Sequence, residues 1–232
     1  MNENSQNLKK QAAERAVEFI ESGMVVGLGH GSTAMFAVQR IAKLLKSGKL
    51  TEILGVPCSL QVEKEARQLG IPLTTLDEHP SIDVTIDGAD EVDPNLDLIK
   101  GGGGALLREK IVAQASRREI IVVDESKFSR ALGTRWPVPV EVIPFGWRTQ
   151  VLYLESVGAS VRVRRGNTRR RFTTDQGNLI LDCQFGPIAG PGQLAAKLDA
   201  RTGIVEHGLF LGLATDVIVA DVQGVRHLRR TT

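Results

Sequence analysis

Ser81-Ile82-Asp83-Val84-Thr85-Ile86 runs directly into Asp87-Gly88-Ala89-Asp90-Glu91-Val92-Asp93, and Lys100-Gly101-Gly102-Gly103-Gly104-Ala105 follows a few residues later. The first six residues are an alternating β-branched run, the pattern of a strand. Carboxylates crowded at the end of a strand repel one another, and each glycine costs backbone entropy unless the chain must pass close to something. At the strand ends of an open α/β sheet that something is a ligand. The pattern predicts a small polar substrate, with hydroxyls for the carboxylates and an anionic group for the lysine and backbone N–H groups.

Strands and helices alternate on both sides of this stretch. Residues 8–22 carry apolar positions at helical spacing, with Lys9 near the start. Met24-Val25-Val26-Gly27-Leu28-Gly29 reads as a buried strand, and Gly29-His30-Gly31-Ser32-Thr33-Ala34 opens a helix that runs to about residue 45. Ser32 and Thr33 stand where capping residues belong. Free N–H groups at a helix start favour an anion such as phosphate. The glycines alone are weak evidence, and a merely tight turn explains them as well. Strands at 52–56, 71–76, 82–87 and 119–124, with helices at 60–69 and 104–117, continue the alternation. The three polar stretches, 29–33, 87–93 and 124–127, all fall at C-terminal strand ends. The predicted fold is α/β: a Rossmann-like, doubly wound, mostly parallel sheet.

After Trp136 the texture changes. Prolines at 137, 139 and 144 mark a boundary, followed by a helix near 147–157, short strands at 160–164, 171–174 and 179–183, and a helix at 191–201. That order predicts a second, smaller α+β domain, ferredoxin-like, over 137–207. Residues 1–136 and 208–232 form the Rossmann-like catalytic domain in this division, with strands at 208–211 and 216–221 returning to it. The small domain is expected to act as lid and oligomer interface.

Composition narrows the function classes. The 232 residues include 29 basic and 27 acidic side chains, a net charge of +2, so no global attraction to nucleic acid or membrane is implied. The polar N-terminus lacks a signal-peptide core, and no apolar run reaches membrane-spanning length. A cytoplasmic protein is expected. Cys58 and Cys183 stand far apart, with neither metal nor disulfide spacing. His30, His79, His207 and His227 are scattered, so no metal cluster or Ser-His-Asp set is visible. The arginines 162, 164, 165, 169, 170 and 171, around a turn at Gly166-Asn167, are read as a solvated hairpin or subunit contact. A polyanion grip is the weaker reading, because Phe172 is the lone aromatic available for stacking.

The chemistry turns on Arg108-Glu109-Lys110. Glu109 lines up with Ala105 and Leu106, one turn back, an alignment that turns this face inward. Burial near the glycine mouth would tune a carboxylate toward general-base work. Periodicity alone favours an ordinary surface glutamate. Asp87 and Asp90 suit sugar hydroxyls or proton shuttling, and equally suit turn and capping roles. Lys100 and Lys127 suit phosphate or an oxyanion, against the plain reading of solvated lysines.

Taken in order, Gly29-His30-Gly31-Ser32-Thr33-Ala34, Asp87-Gly88-Ala89-Asp90-Glu91, Lys100-Gly101-Gly102-Gly103-Gly104-Ala105-Leu106 with Arg108-Glu109-Lys110, and Asp124-x-Ser126-Lys127 resemble the type A ribose-5-phosphate isomerase family. Pro139-Val140-Glu141-Val142-Ile143-Pro144 and Gly208-Leu209-Phe210 extend the resemblance over nearly the whole chain. The resemblance implies interconversion of D-ribose 5-phosphate and D-ribulose 5-phosphate in the pentose phosphate pathway, with no metal and no cofactor. It implies a homodimer, or a tetramer, with a small sugar phosphate as the sole ligand. Glu109 matches the catalytic base, acting through an enediolate. Asp87, Asp90 and Lys100 match residues that hold the sugar, assist ring opening and stabilise charge. Ser32, Thr33 and Lys127 match the phosphate grip, Lys9 matches a basic residue of the first helix, and His30, Gly31, Gly88, Ala89, Gly101, Gly102 and Gly103 complete the substrate contacts.

Departures from the family pattern stand at His30, where many relatives have Thr, and at Gly104, which replaces a common alanine and is expected to loosen the following helix. The alternative reading is a non-catalytic sugar-phosphate-sensing domain. Such domains accompany a helix-turn-helix, for which there is no room before residue 24, and are free to lose Glu109.

Overall fold

Val25-Val26, Val84-Thr85-Ile86, Ile120-Ile121-Val122-Val123 and Val217-Ile218-Val219 are rich in β-branched side chains. Such residues are stiff at χ1 and pack well on a pleated surface, and each run forms a strand. The structure is a computed structural model that describes residues 3–166 and 170–231. Asn167 and Arg169 of the arginine-rich hairpin lie outside the described residues.

Along the chain the elements are α1 (Glu3–Val17), β1 (Val25–Leu28), α2 (Ala34–Lys46), β2 (Leu54–Pro57), α3 (Leu60–Leu69), β3 (Val84–Asp87), β4 (Glu91–Val92), β5 (Leu98–Ile99), α4 (Leu106–Ala115) and β6 (Glu119–Asp124). There follow β7 (Val138–Val142), α5 (Trp147–Ser156), β8 (Ser160–Val163), β9 (Leu179–Gln184), α6 (Pro191–Asp199), β10 (Ile204–His207), β11 (Leu209–Phe210), β12 (Asp216–Asp221) and β13 (Gly224–Arg229). They pack as two compact units. The first holds the chain up to Ala89, Arg108–Lys127 and the chain from Gly212; the second holds Asp90–Leu107 and Phe128–Leu211.

The first unit is built on a six-stranded sheet in the order β13-β12-β6-β3-β1-β2. All pairings are parallel except that of β13 with β12. β3 and β6 are buried throughout, and β6 accordingly reads as a continuous apolar run, Ile120-Ile121-Val122-Val123, rather than an alternating one. Ile120, Val122, Ile218 and Ala220, two residues apart on their strands, pack with Ala12 and Ala16 of α1 and Ile41 of α2. The two-residue period turns Ile121, Val123, Val217 and Val219 to the other face. Val112 of α4 joins a separate cluster with Val56, Cys58 and Ile82. The chain leaves β1 for β2 on one side and returns to β3 on the other. This reversal makes the carboxyl ends of β1 and β3 the expected ligand edge.

In the second unit β7, α5, β8, β9, α6 and β10 run strand–helix–strand–strand–helix–strand. Their strands form an antiparallel sheet in the order β10-β7-β9-β8, a ferredoxin-like arrangement. Val138, Val140, Val142, Leu154, Leu181 and Leu198 form its core. A separate three-stranded sheet, β11-β5-β4, belongs to the same unit.

Several elements differ from the sequence reading. The first helix starts at Glu3 and ends at Val17; beyond it Glu18, Phe19 and Ile20 donate their N–H groups three residues back, tightening the chain into turns. Residues 71–76 are not a strand, because Pro72 has no N–H to donate and contact with β2 shrinks to a Gly55–Leu73 bridge. Leu209–Phe210 does not return to the large sheet but pairs with Leu98–Ile99. β13 has no counterpart in the sequence reading, since Arg226, His227 and Arg229 hide its strand pattern.

Asp216, which opens β12, is 3% exposed. Arg118 donates two hydrogen bonds of 2.8 Å to it, Thr215 Oγ1 donates one of 2.7 Å, and His227 Nε2 lies 2.6 Å away. Burial pushes this carboxyl up, but the Arg118, Thr215 and His227 bonds outweigh burial and hold it well below the usual carboxylate range. A carboxyl depressed on folding stabilises the protein above its unfolded pKa of ~3.9 and loses that contribution as pH falls toward the folded value. Asp216→Asn is expected to destabilise the fold by about 3 kcal/mol at neutral pH. The wild type should lose that advantage on acidification below the ordinary carboxylate range, which urea unfolding across neutral to acid pH measures.

Candidate active site

The connection from β1 to α2 begins where two strands nearly touch. A Cβ on Gly27 would lie 1.8 Å from Thr85 Oγ1, and one on Gly29 would lie 2.4 Å from Asp87 Oδ1. Both glycines therefore serve the approach of β1 to β3. Gly31, at φ +108°, supplies the left-handed turn of this loop. Asp87 is 1% exposed and accepts the His30 N–H at 2.9 Å and the Gly88 N–H at 2.7 Å. Its carboxylate thus holds the loop backbone at the edge where such sheets take ligands.

The remaining site residues of the first unit follow from neighbouring elements. Lys9 of α1 donates to Ser32 Oγ at 3.0 Å, bringing together a lysine and a hydroxyl that stand 23 residues apart. Thr33 occupies the N-cap position of α2, yet its side chain makes no capping bond, contrary to the expectation for Ser32 and Thr33. The His30 ring lies 3.0 Å from Ser59 Oγ, and that hydroxyl also caps α3 by accepting the Val62 N–H. Lys127 closes a single 3-10 turn, Glu125–Lys127, directly after β6. Glu109 sits in the first turn of α4 and is only 4% exposed. Periodicity alone favoured a surface glutamate; the buried position corrects that and agrees with the alignment of Glu109 on Ala105 and Leu106, one turn back.

The second unit carries the other group of predicted residues. Asp90 Oδ2 accepts the Gly102 N–H at 2.7 Å, so Asp90 is bonded to the glycine loop. Lys100 is 2% exposed, with Nζ 5.6 Å from the centre of the Phe210 ring. Gly101 and Gly104 adopt φ +98° and +88°. The acidic cluster divides by role. Glu91, wholly buried, accepts the N–H groups of Gly133, Arg135 and Trp136, and Asp93 accepts those of Asn95 and Asp97. These two carboxylates organise turns, whereas Asp90 bonds the Gly101–Gly104 loop.

Among the described residues one group has its ligand atoms within 4.8 Å of each other: Asp199, Glu206 and His207. His207 Nδ1 accepts the Leu209 N–H and Nε2 lies 3.1 Å from Asp199 Oδ1. The ring therefore carries its proton on Nε2, toward the carboxylate, which is a structural hydrogen bond rather than a ligand set. No helix among the described residues is long and apolar enough to cross a membrane.

A family model described as ribose 5-phosphate isomerase A (phosphoriboisomerase A) matches residues 54–224. Ribose-5-phosphate isomerase A of Desulfatibacillum aliphaticivorans is 58% identical over 222 residues, 96% of each chain. That of Chloroflexus aurantiacus is 59% identical over 220 residues, covering 95% of this chain and 92% of its own. The chain belongs to the ribose 5-phosphate isomerase A family. It is an enzyme of that family. Among solved structures, ribose 5-phosphate isomerase from Plasmodium falciparum matches with a TM-score of 0.95 at 41% identity, over 98% of this chain and 100% of that one. A D-ribose-5-phosphate isomerase in complex with phospho-erythronic acid matches with a TM-score of 0.95 at 41% identity, over 99% of this chain and all of that one.

Two features of this family member escaped the sequence reading. Arg164 is not a solvated hairpin arginine: its side chain is 14% exposed and pairs with Asp182. α4 starts at Leu106, two residues after Gly104, so Gly104 lies ahead of the helix rather than in it. A Cβ on Gly104 would lie 2.4 Å from Phe172 Cζ, so the ring of Phe172 fills the space a side chain would need. Gly104→Ala is expected to cost about 2 kcal/mol through the positive φ and ring displacement. Adding Phe172→Ala should make the double variant less destabilised than the sum of the two single changes, a coupling that urea unfolding of all four proteins reads directly.

Proposed function

We propose that the chain interconverts D-ribose 5-phosphate and D-ribulose 5-phosphate, an aldose–ketose isomerisation of the non-oxidative pentose phosphate pathway, in the cytoplasm. The single observation that carries the mechanism is the burial of Glu109 at 4% exposure in the first turn of α4. A helix start favours a carboxylate, and a carboxylate shielded from water is suited to take a proton. In this reading Glu109 removes the proton from C2 of the open-chain aldose and returns it to C1. The enediolate oxygen at C1 takes a proton while the C2 hydroxyl gives one up, so the C1 carbonyl becomes a hydroxyl and C2 becomes the ketone.

The other roles follow from charge. Lys100, with those backbone N–H groups of the glycine loop that are not already bonded, faces the oxygen anion of the enediolate, and Gly101, Gly102 and Gly103 line the sugar. Asp87 and Asp90 hold sugar hydroxyls and assist ring opening, beside Gly88 and Ala89. Lys9, His30, Gly31, Ser32, Thr33 and Lys127 grip the phosphate; the Lys9–Ser32 bond of 3.0 Å supports this. Phospho-erythronic acid, held by a structural neighbour, combines hydroxyls, a phosphate and a carboxylate, the three features this residue set suits. General-base catalysis supplies ~10²–10⁴-fold, so Lys100 and the fixed donors carry much of the remainder. No metal takes part in this scheme. Residues 137–207 serve as lid and oligomer interface of a homodimer, or of a tetramer.

The test is ribulose 5-phosphate formation from ribose 5-phosphate in the presence of EDTA, for wild type and Glu109→Gln. Wild-type turnover that falls at least ~10²-fold in the variant, with substrate binding retained, is the expected result. Full activity in the variant would show that another residue is the base. Binding without wild-type turnover would make the protein a sugar-phosphate sensor.

A further inference from the structure

The glycine loop is gripped from its carbonyl side. Arg164 Nη1 donates to the Gly101 carbonyl at 2.7 Å and to the Gly102 carbonyl at 3.0 Å. Its Nε donates to Asp182 Oδ2 at 3.1 Å, and its other terminal nitrogen bonds Asp182 Oδ1, so the guanidinium is held by a bidentate carboxylate. Arg164 follows β8, and Asp182 lies on β9, paired with Arg162. The clamp is thus mounted on a sheet of the second unit rather than on a free loop.

The geometry of the two peptides decides what the clamp does. In the Gly101–Gly102 peptide the carbonyl is fixed by Arg164 and the N–H by Asp90 Oδ2 at 2.7 Å, so both ends of that plane are pinned. In the next peptide Arg164 holds the Gly102 carbonyl. A trans peptide points its N–H opposite its carbonyl, so the Gly103 N–H is aimed away from Arg164. Gly103 is exposed, and no group among the described residues accepts that N–H. A cationic donor on the carbonyl also polarises the peptide and strengthens the N–H as a donor.

We propose that Arg164, held by Asp182, is a positioning residue for the isomerase reaction: it orients the Gly101–Gly103 backbone so that the Gly103 N–H meets the oxygen anion of the enediolate. The inference rests on the activity proposed above and adds to it a residue that touches no substrate. Three physical points support it. Glycines lose more conformational freedom on ordering than any other residue, so a run of four needs an external brace to hold one geometry. An arginine fork can serve two carbonyls and a carboxylate together, which a lysine cannot. Donors aimed in advance at developing charge cost no reorganisation at the moment of reaction.

Arg164→Met, Arg164→Lys, Arg164→Ala and Asp182→Asn would be assayed with D-ribose 5-phosphate, alongside thermal midpoints. Loss of a preorganised donor predicts a kcat about 10- to 100-fold lower in Arg164→Met and Arg164→Lys with KM within about twofold. Asp182→Asn should fall between them and wild type. Low-millimolar guanidinium should restore part of kcat in Arg164→Ala and leave the wild type unchanged. Unaltered kcat in Arg164→Met, or losses that track the thermal midpoints across the variants without guanidinium rescue, would overturn the inference. Absence of wild-type turnover would remove the isomerase reading and this inference with it, whereas active wild type with an unaffected Arg164→Met removes this inference alone.

Discussion

The first unit depends on how closely β1 and β3 approach at their carboxyl ends. No side chain fits at Gly27 or Gly29, where Thr85 and Asp87 already occupy the space. Because the gap is closed, the Asp87 carboxylate reaches across to the backbone N–H of His30. A buried carboxylate with fixed N–H donors is costly to disturb, so the turn that carries Gly31, Ser32 and Thr33 is held by the same group expected to hold a sugar hydroxyl. In the proposed reading, structure and binding share one atom set, and neither can be changed independently.

The second unit solves a related problem by other means. A run of four glycines approaches closely anything that binds it, but has no side chains with which to hold itself. Asp90 takes the Gly102 N–H, Arg164 takes two carbonyls, and Phe172 fills the space beside Gly104. Polar clamps on one side and an aromatic ring on the other replace the packing that the loop lacks. This explains why an arginine in a hairpin with many arginines is drawn inward while Arg162 and Arg165 stay exposed.

Carboxylates in one short stretch take different parts for geometric reasons. Asp87 ends a buried strand and Asp90 faces the glycine loop. Glu91 is enclosed by backbone donors from 133–136, and Asp93 closes its own turn, where burial pushes its carboxyl up. Composition alone groups the four; only their hydrogen-bond partners tell them apart.

From residue order alone came the alternation of strands and helices and the small ferredoxin-like domain, because hydrophobic period and turn residues are local properties of the chain; the family came from the resemblance of its ordered motifs. The burial of Glu109 was not settled by sequence, since its alignment with Ala105 and Leu106 aims it inward but only tertiary packing covers that face. Nor was the Arg164–Asp182 clamp, whose partners lie 63 and 18 residues away in the chain. The destination of Leu209–Phe210 was equally hidden, because two residues carry too little pattern to choose a sheet. Local pattern determines which elements form; the partners of a charged side chain are chosen by long-range packing, and only the tertiary structure decides them.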